Sequence, residues 1–117
     1  MSYGVARKGG RVMPTEIAPN SRKWDTLSKE LKVAVTIQKL NELNDPKELP
    51  YFSNIARYIS KFDDMSKTTI HNALDHLIDL GTINAEWTQV DSRWVRRFIV
   101  KGESREFIAK LTEELYI

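Results

Sequence analysis

The sequence predicts a small α+β domain in which a helical core carries a two-stranded β-hairpin and a C-terminal helix. Three observations predict it. Apolar residues recur at helical spacing up to residue 80; the period changes to alternation after Gly81; and helical spacing returns after Gly102. At 117 residues, 41% hydrophobic and 29% charged, the chain has the length and composition of one globular domain.

Residues 1–24 carry the punctuation of irregular structure, with Gly4, Gly9, Gly10, Pro14 and Pro19 and no sustained hydrophobic period, so neither helix nor strand is expected there. This leader is basic. Arg7, Lys8, Arg11, Arg22 and Lys23 face only Glu16 within residues 1–23, an excess of four positive charges, whereas the whole chain sums to +2. The remainder is therefore mildly acidic. A flexible basic arm of this kind suits a polyanionic partner, and a solubilising tail is the ordinary alternative.

The folded domain is expected over residues 25–117. Asp25 or Thr26 can cap a first helix that runs to about Asn44 and ends at Asp45-Pro46. Leu27, Leu31, Val33, Ala34, Val35, Ile37, Leu40 and Leu43 cover more of this helix than one apolar stripe, which predicts burial on two sides. The second side is covered either by a partner subunit or by the leader folding back. A helix of about two turns follows Pro50, with Phe52, Ile55, Ala56 and Ile59 inward.

Ser66 then opens the best-defined helix as its N-cap, with Met65 positioned to staple against Ile70. Ile70, Ala73, Leu74, Leu77 and Leu80 form its inner stripe, and Gly81 is placed to stop it in a left-handed conformation. In the hairpin, Ile83, Ala85 and Trp87 share a face, as do Trp94, Arg96, Phe98 and Val100 after Asp91-Ser92. A one-residue slip would turn Val95, Arg97 and Ile99 inward instead. The tryptophans flanking the turn are expected to pack across the strands rather than to stack on single-stranded bases. Residues 104–116 form the closing helix, with Phe107, Ile108, Leu111 and Leu115 on one side.

The sequence contains no cysteine, which excludes disulfides, thiolate zinc sites and cysteine nucleophiles. No apolar run reaches the roughly 18 residues of a membrane span and no signal-peptide block opens the chain, so a cytoplasmic protein without a membrane partner is expected. His71 and His76, five apart, diverge by about 140° on a helix and do not suit a shared metal. Asp63-Asp64 and Glu113-Glu114 read as solvated acids at a turn and near a terminus. With no phosphate loop, metalloprotease motif or nucleophile elbow, neither enzyme activity, metal nor cofactor is expected, and the sequence assigns no small-molecule effector.

The stretch Ile55-Ala56, then Met65-Ser66-Lys67-Thr68-Thr69-Ile70, then Leu74, Leu77, Leu80-Gly81 and Ile83 resembles the pattern shared by MarR-, ArsR- and PadR-type regulators. The likeness spans residues 27–115. It implies a winged helix-turn-helix fold and a DNA-binding transcriptional regulator, in which helix 66–80 enters the major groove and the wing, residues 82–101, meets backbone or minor groove. On the outer side of that helix lie Lys67, Thr68, Thr69, His71, Asn72, Asp75, His76 and Asp79. Ser66 and Thr68 hydroxyls stand beside the helix N-terminus, where a phosphate can bind. Asn72 matches adenine, Lys67 guanine or phosphate, and Thr68 or Thr69 a thymine methyl. Related regulators often carry Arg at the place of Asn72, and here Lys67 is offset by Asp75 and Asp79. Phosphate affinity must therefore come mainly from Arg93, Arg96, Arg97 and Lys101 in the wing, with Arg93 best placed for a narrow minor groove, and from Arg7, Lys8 and Arg11 in the arm. The resemblance also implies a homodimer on duplex DNA, its interface expected from Leu27, Leu31, Val35, Phe107, Leu111 and Leu115. The alternative is a winged-helix protein-interaction module that does not itself bind DNA.

Overall fold

A computed structural model describes residues 18–116 of the chain. Among them the order is α1 (Ser21–Asp25), α2 (Lys29–Leu43), α3 (Phe52–Ile59), α4 (Lys67–Asp79), β1 (Ile83–Val90), β2 (Arg93–Val100) and α5 (Ser104–Leu115). This is an α+β architecture with an antiparallel hairpin, compatible with a winged-helix layout.

Helix α1 departs from the expected irregular leader. Asn20 caps it, its Oδ1 accepting from the Lys23 N–H at 3.1 Å, while the Asn20 N–H donates to the Leu115 carbonyl at 2.8 Å. Its one buried side chain, Trp24, meets Phe62 edge-to-face at 4.8 Å between centroids, and Phe62 meets Tyr58 in the same way at 5.2 Å. Trp24 Nε1–H donates to Asp63 Oδ2 at 2.7 Å, and Lys32 Nζ donates to the same oxygen at 3.0 Å. Partial burial pushes the Asp63 carboxyl up, but the bonds from Trp24 and Lys32, the Lys32 charge and the Met65 backbone N–H outweigh it and hold the group below its ordinary range. Asp63 is thus a fixed anion tying α1, α2 and the α3–α4 turn together, rather than a freely solvated acid.

Helix α2 begins two to three residues later than the caps expected from the sequence. Ser28 is the N-cap, its Oγ accepting from Leu31 N–H at 3.2 Å, and Asn44 ends the helix in the left-handed region at φ 50°. From Val33 through Ile37 every side chain is buried, including Thr36, whose hydroxyl bonds back to the Lys32 carbonyl. No second subunit is needed to explain this burial. Helices α3, α4, α5 and strand β2 all pack on α2 within one chain, and Trp24 joins the same core cluster. Val35 and Leu115, expected at a dimer interface, are consequently enclosed in the monomer's own core. Leu27, Leu31 and Leu111 are half-buried, and Phe107 stands 60% exposed.

The α2–α3 connection is held by buried Asn54, whose Nδ2 donates to the Leu49 and Lys47 carbonyls, and by the Arg57–Glu48 ion pair at 2.6 Å. Helix α4 is capped by Ser66 and closes in a Schellman turn: Thr82 N–H donates to the Leu77 carbonyl and Gly81 N–H to the Ile78 carbonyl, with Gly81 at φ +77°. Ile70, Ala73, Leu74 and Leu77 are buried as their spacing predicts. Leu80 is not. The helix ends at Asp79, and Leu80 lies 64% exposed at the C-cap.

The hairpin register pairs Ile83 with Val100, Ala85 with Phe98 and Trp87 with Arg96. Ile83, Phe98 and Val100 anchor its base in the core, which settles the alternation in favour of the face bearing Arg96. Asp91 and Ser92 form the two-residue turn, both at positive φ (49° and 68°), the type I′ geometry that fits the strand twist. On the outer edge of β2, Phe98 N–H donates to the Pro50 carbonyl at 2.9 Å and its carbonyl accepts from Asn41 Nδ2 at 3.1 Å. These bonds fix the hairpin against the α2–α3 side of the body. In α5 the buried residues are Ile108, Thr112 and Leu115.

Candidate nucleic-acid interface

The Ser66 cap determines what the beginning of α4 presents. Ser66 Oγ accepts from Thr69 N–H at 3.1 Å and donates to Thr69 Oγ1 at 2.9 Å, so both hydroxyls are engaged in the cap and Thr69 is half-buried. Lys67, Thr68 and Asn72 are exposed and make no side-chain hydrogen bond or ion pair with another described residue. Together with the first N–H groups of α4 they form an open polar surface.

The two histidines on this helix have partners. His71, though exposed, stacks on Phe52 of α3 with centroids 4.3 Å apart and planes at 29°. His76 Nδ1 lies 3.3 Å from Glu30 Oε2 on α2. A backbone N–H at the start of α2, followed by the His76 hydrogen bond, holds the Glu30 carboxyl below its ordinary range. His76 thus faces α2, away from the Lys67–Asn72 end. Asp75 and Asp79 are exposed further along the helix.

The wing arginines separate into two groups. Arg93 beside the turn is exposed and makes no side-chain hydrogen bond or ion pair with another described residue, while Arg96 is exposed with its guanidinium 5.3 Å from the Phe98 ring centroid. Arg97 lies on the opposite face from Arg96, the face that Arg93 shares nearer the turn. Its Nε and Nη2 donate to Asn41 Oδ1 at 3.1 and 2.8 Å, and the side chain is half-buried against α2. One residue of strand spacing makes the difference between the exposed Arg96 and the Arg97 held by α2. Lys101 is exposed at the hairpin base. Arg7, Lys8 and Arg11 lie outside the described residues.

Trp87 and Trp94 depart from the expected cross-strand packing. They are 66% and 64% exposed, and no ring contact joins them to each other or to another described aromatic side chain. Sequence reasoning identified the residues but not their exposure. Alternation alone puts them on the face of Phe98 and Val100, and only the length of the hairpin beyond the core leaves them in solvent. Among the described residues no cluster of three or more His, Asp or Glu is arranged to hold a metal ion, and no helix is long and apolar enough to cross a membrane.

The comparisons with known proteins find no family model, no curated protein and no solved structure that matches this chain.

Proposed function

We propose that this protein is a winged-helix transcriptional regulator that binds duplex DNA as a homodimer, with the outer face of α4 in the major groove and the hairpin against the adjacent backbone. The observation that carries the reading is the division of α4. Ile70, Ala73, Leu74 and Leu77 on its inner side are committed to the core while Lys67, Thr68 and Asn72 stay open at the N-terminal end, the end that lies deepest when such a helix docks. Arg93 and Arg96 are exposed cations on the neighbouring ribbon that can meet phosphate, with Lys67 and Lys101 adding to them.

Within the dimer, two copies of α4 stand about 34–36 Å apart to meet successive major grooves, and the site is palindromic. With Val35 and Leu115 committed to the core, the dimer surface consists of exposed Phe107 and the half-buried Leu27, Leu31 and Leu111. Selection of bound sequences from random duplex DNA, with a mass measurement of the free protein, tests both parts. The reading expects a palindromic consensus and a mass of twice 13.6 kDa. Asn72→Ala relaxes one base position of that consensus. Absence of any enriched duplex would favour a protein-docking role for the same surface.

A further inference from the structure

We infer that the wing face bearing Trp87 and Trp94 is a stacking site for an unpaired nucleobase, so that the protein binds duplex DNA next to a single-stranded segment. The inference takes its partner class from the nucleic-acid reading above and adds a second strand state to it. Two large apolar rings stand mostly in water toward the end of a hairpin, and the described residues leave about two thirds of each exposed, a patch that marks an interaction surface.

The register places them for this task. Trp87 is opposite Arg96 and Trp94 is opposite Gln89, so the two indoles are diagonal neighbours on one face. Diagonal positions on an antiparallel pair are about 7–8 Å apart. That backbone spacing keeps both indoles within reach of one flat base. No ring contact joins the two indoles, so they do not form a self-packed aromatic pair.

Charge selects the occupant. This face carries Arg96 opposite Trp87 and Gln89 opposite Trp94, while Arg93, one residue before Trp94, lies on the other face. The acids of the hairpin, Glu86 and Asp91, lie on the opposite face and in the turn. Aromatic rings with a cation and no carboxylate among them match a base attached to a phosphate, since stacking tolerates any base and the guanidinium neutralises the backbone. An acidic or purely apolar partner would use only half of the surface.

The test compares three DNA probes with one duplex sequence: blunt, carrying an eight-thymine tail, and carrying an eight-residue abasic tail with the same phosphates. The wild-type protein is expected to bind the thymine-tailed probe at least about fivefold more tightly than the abasic-tailed one. Exchanging both indoles for Thr, which keeps strand propensity, abolishes that preference and leaves affinity for the blunt duplex within about twofold. Buried Trp24 supplies an internal control among the chain's three tryptophans, because its emission should not respond to the tail in the doubly substituted protein. Equal affinity for the two tailed probes, or a preference that survives loss of both indoles, overturns the inference. A tail preference without blunt-duplex binding would sustain the stacking site while removing the duplex reading on which its setting rests. Loss of self-association in the Thr variant, with no tail preference in the wild type, would instead assign the face to a second copy of the chain.

Discussion

Arg97 provides a sharp test because sequence and structure give it different work. Its guanidinium donates twice to Asn41 Oδ1, and Asn41 in turn donates to the Phe98 carbonyl, so the three residues clamp the hairpin to α2. A hydrogen bond with one charged partner is worth about 1.5–3 kcal/mol net when sheltered. Arg97 is only half-buried, so water competes and Arg97→Ala should cost about 1–2 kcal/mol. For a domain of this size that is a fall of about 5–15 °C in Tm. Asn41→Ala also strands the Phe98 carbonyl and should cost at least as much, and the double variant should fall short of additivity by about 1 kcal/mol. Urea denaturation of the four proteins measures this, with the m-value expected to stay constant. The account expects Arg97→Ala to leave the salt dependence of DNA binding unchanged. An unaltered urea midpoint, with a salt slope shallower by about 0.9, would instead show that Arg97 is a phosphate contact and refute the clamp.

Three other outcomes follow from the packing of Asp63, Leu77 and Ser92. Asp63→Asn should lower stability at pH 7 by about 1–2 kcal/mol by weakening the bonds from Trp24 and Lys32. Because the folded carboxyl titrates below the unfolded value near 3.9, its stabilisation is complete above about pH 5 and is lost as pH falls through the folded value; the variant's urea midpoint should therefore decline less between about pH 5 and 2. Leu77→Ala should cost about 2–5 kcal/mol and Leu80→Ala less than about 0.5 kcal/mol, a contrast that chemical denaturation resolves at once. Ser92→Gly relieves a positive φ in the hairpin turn and should raise stability by about 0.5–1 kcal/mol, seen as a higher Tm with DNA affinity unchanged.

Long periodic segments were legible in the sequence because one principle dominates each. Ser66, the stripe from Ile70 to Leu77 and Gly81 agree on α4, and the change to alternation finds both strands and the Asp91-Ser92 turn. Five-residue α1 was illegible since it is too short to display a period; it exists because Trp24 finds Phe62 and Asp63, contacts distant in sequence. The breadth of the apolar surface on α2 correctly announced two-sided burial, yet a pattern on one helix does not say whether the cover belongs to the same chain. Here α4, α5, α3 and β2 provide it. Leu80 continues the spacing of Leu77, but the Schellman turn ends the helix one residue before it. At the candidate interface, Lys67, Thr68, Asn72, Arg93 and Arg96 were found by position and are exposed. The engagement of Arg97 by Asn41, of His76 by Glu30 and of His71 by Phe52 depends on tertiary neighbours that spacing does not encode.

The measurement that bears most directly on the account is the salt dependence of affinity for duplex DNA, in wild type and in the Arg93→Ala/Arg96→Ala double variant. A linear fall of log affinity with log salt is expected, shallower by about 1.8 in the double variant because two phosphate contacts are lost, with its urea midpoint preserved. A slope near zero in the wild type, or one that the double variant leaves unchanged, would contradict the claim that the open side of α4 and its arginine-bearing wing form a DNA-binding surface.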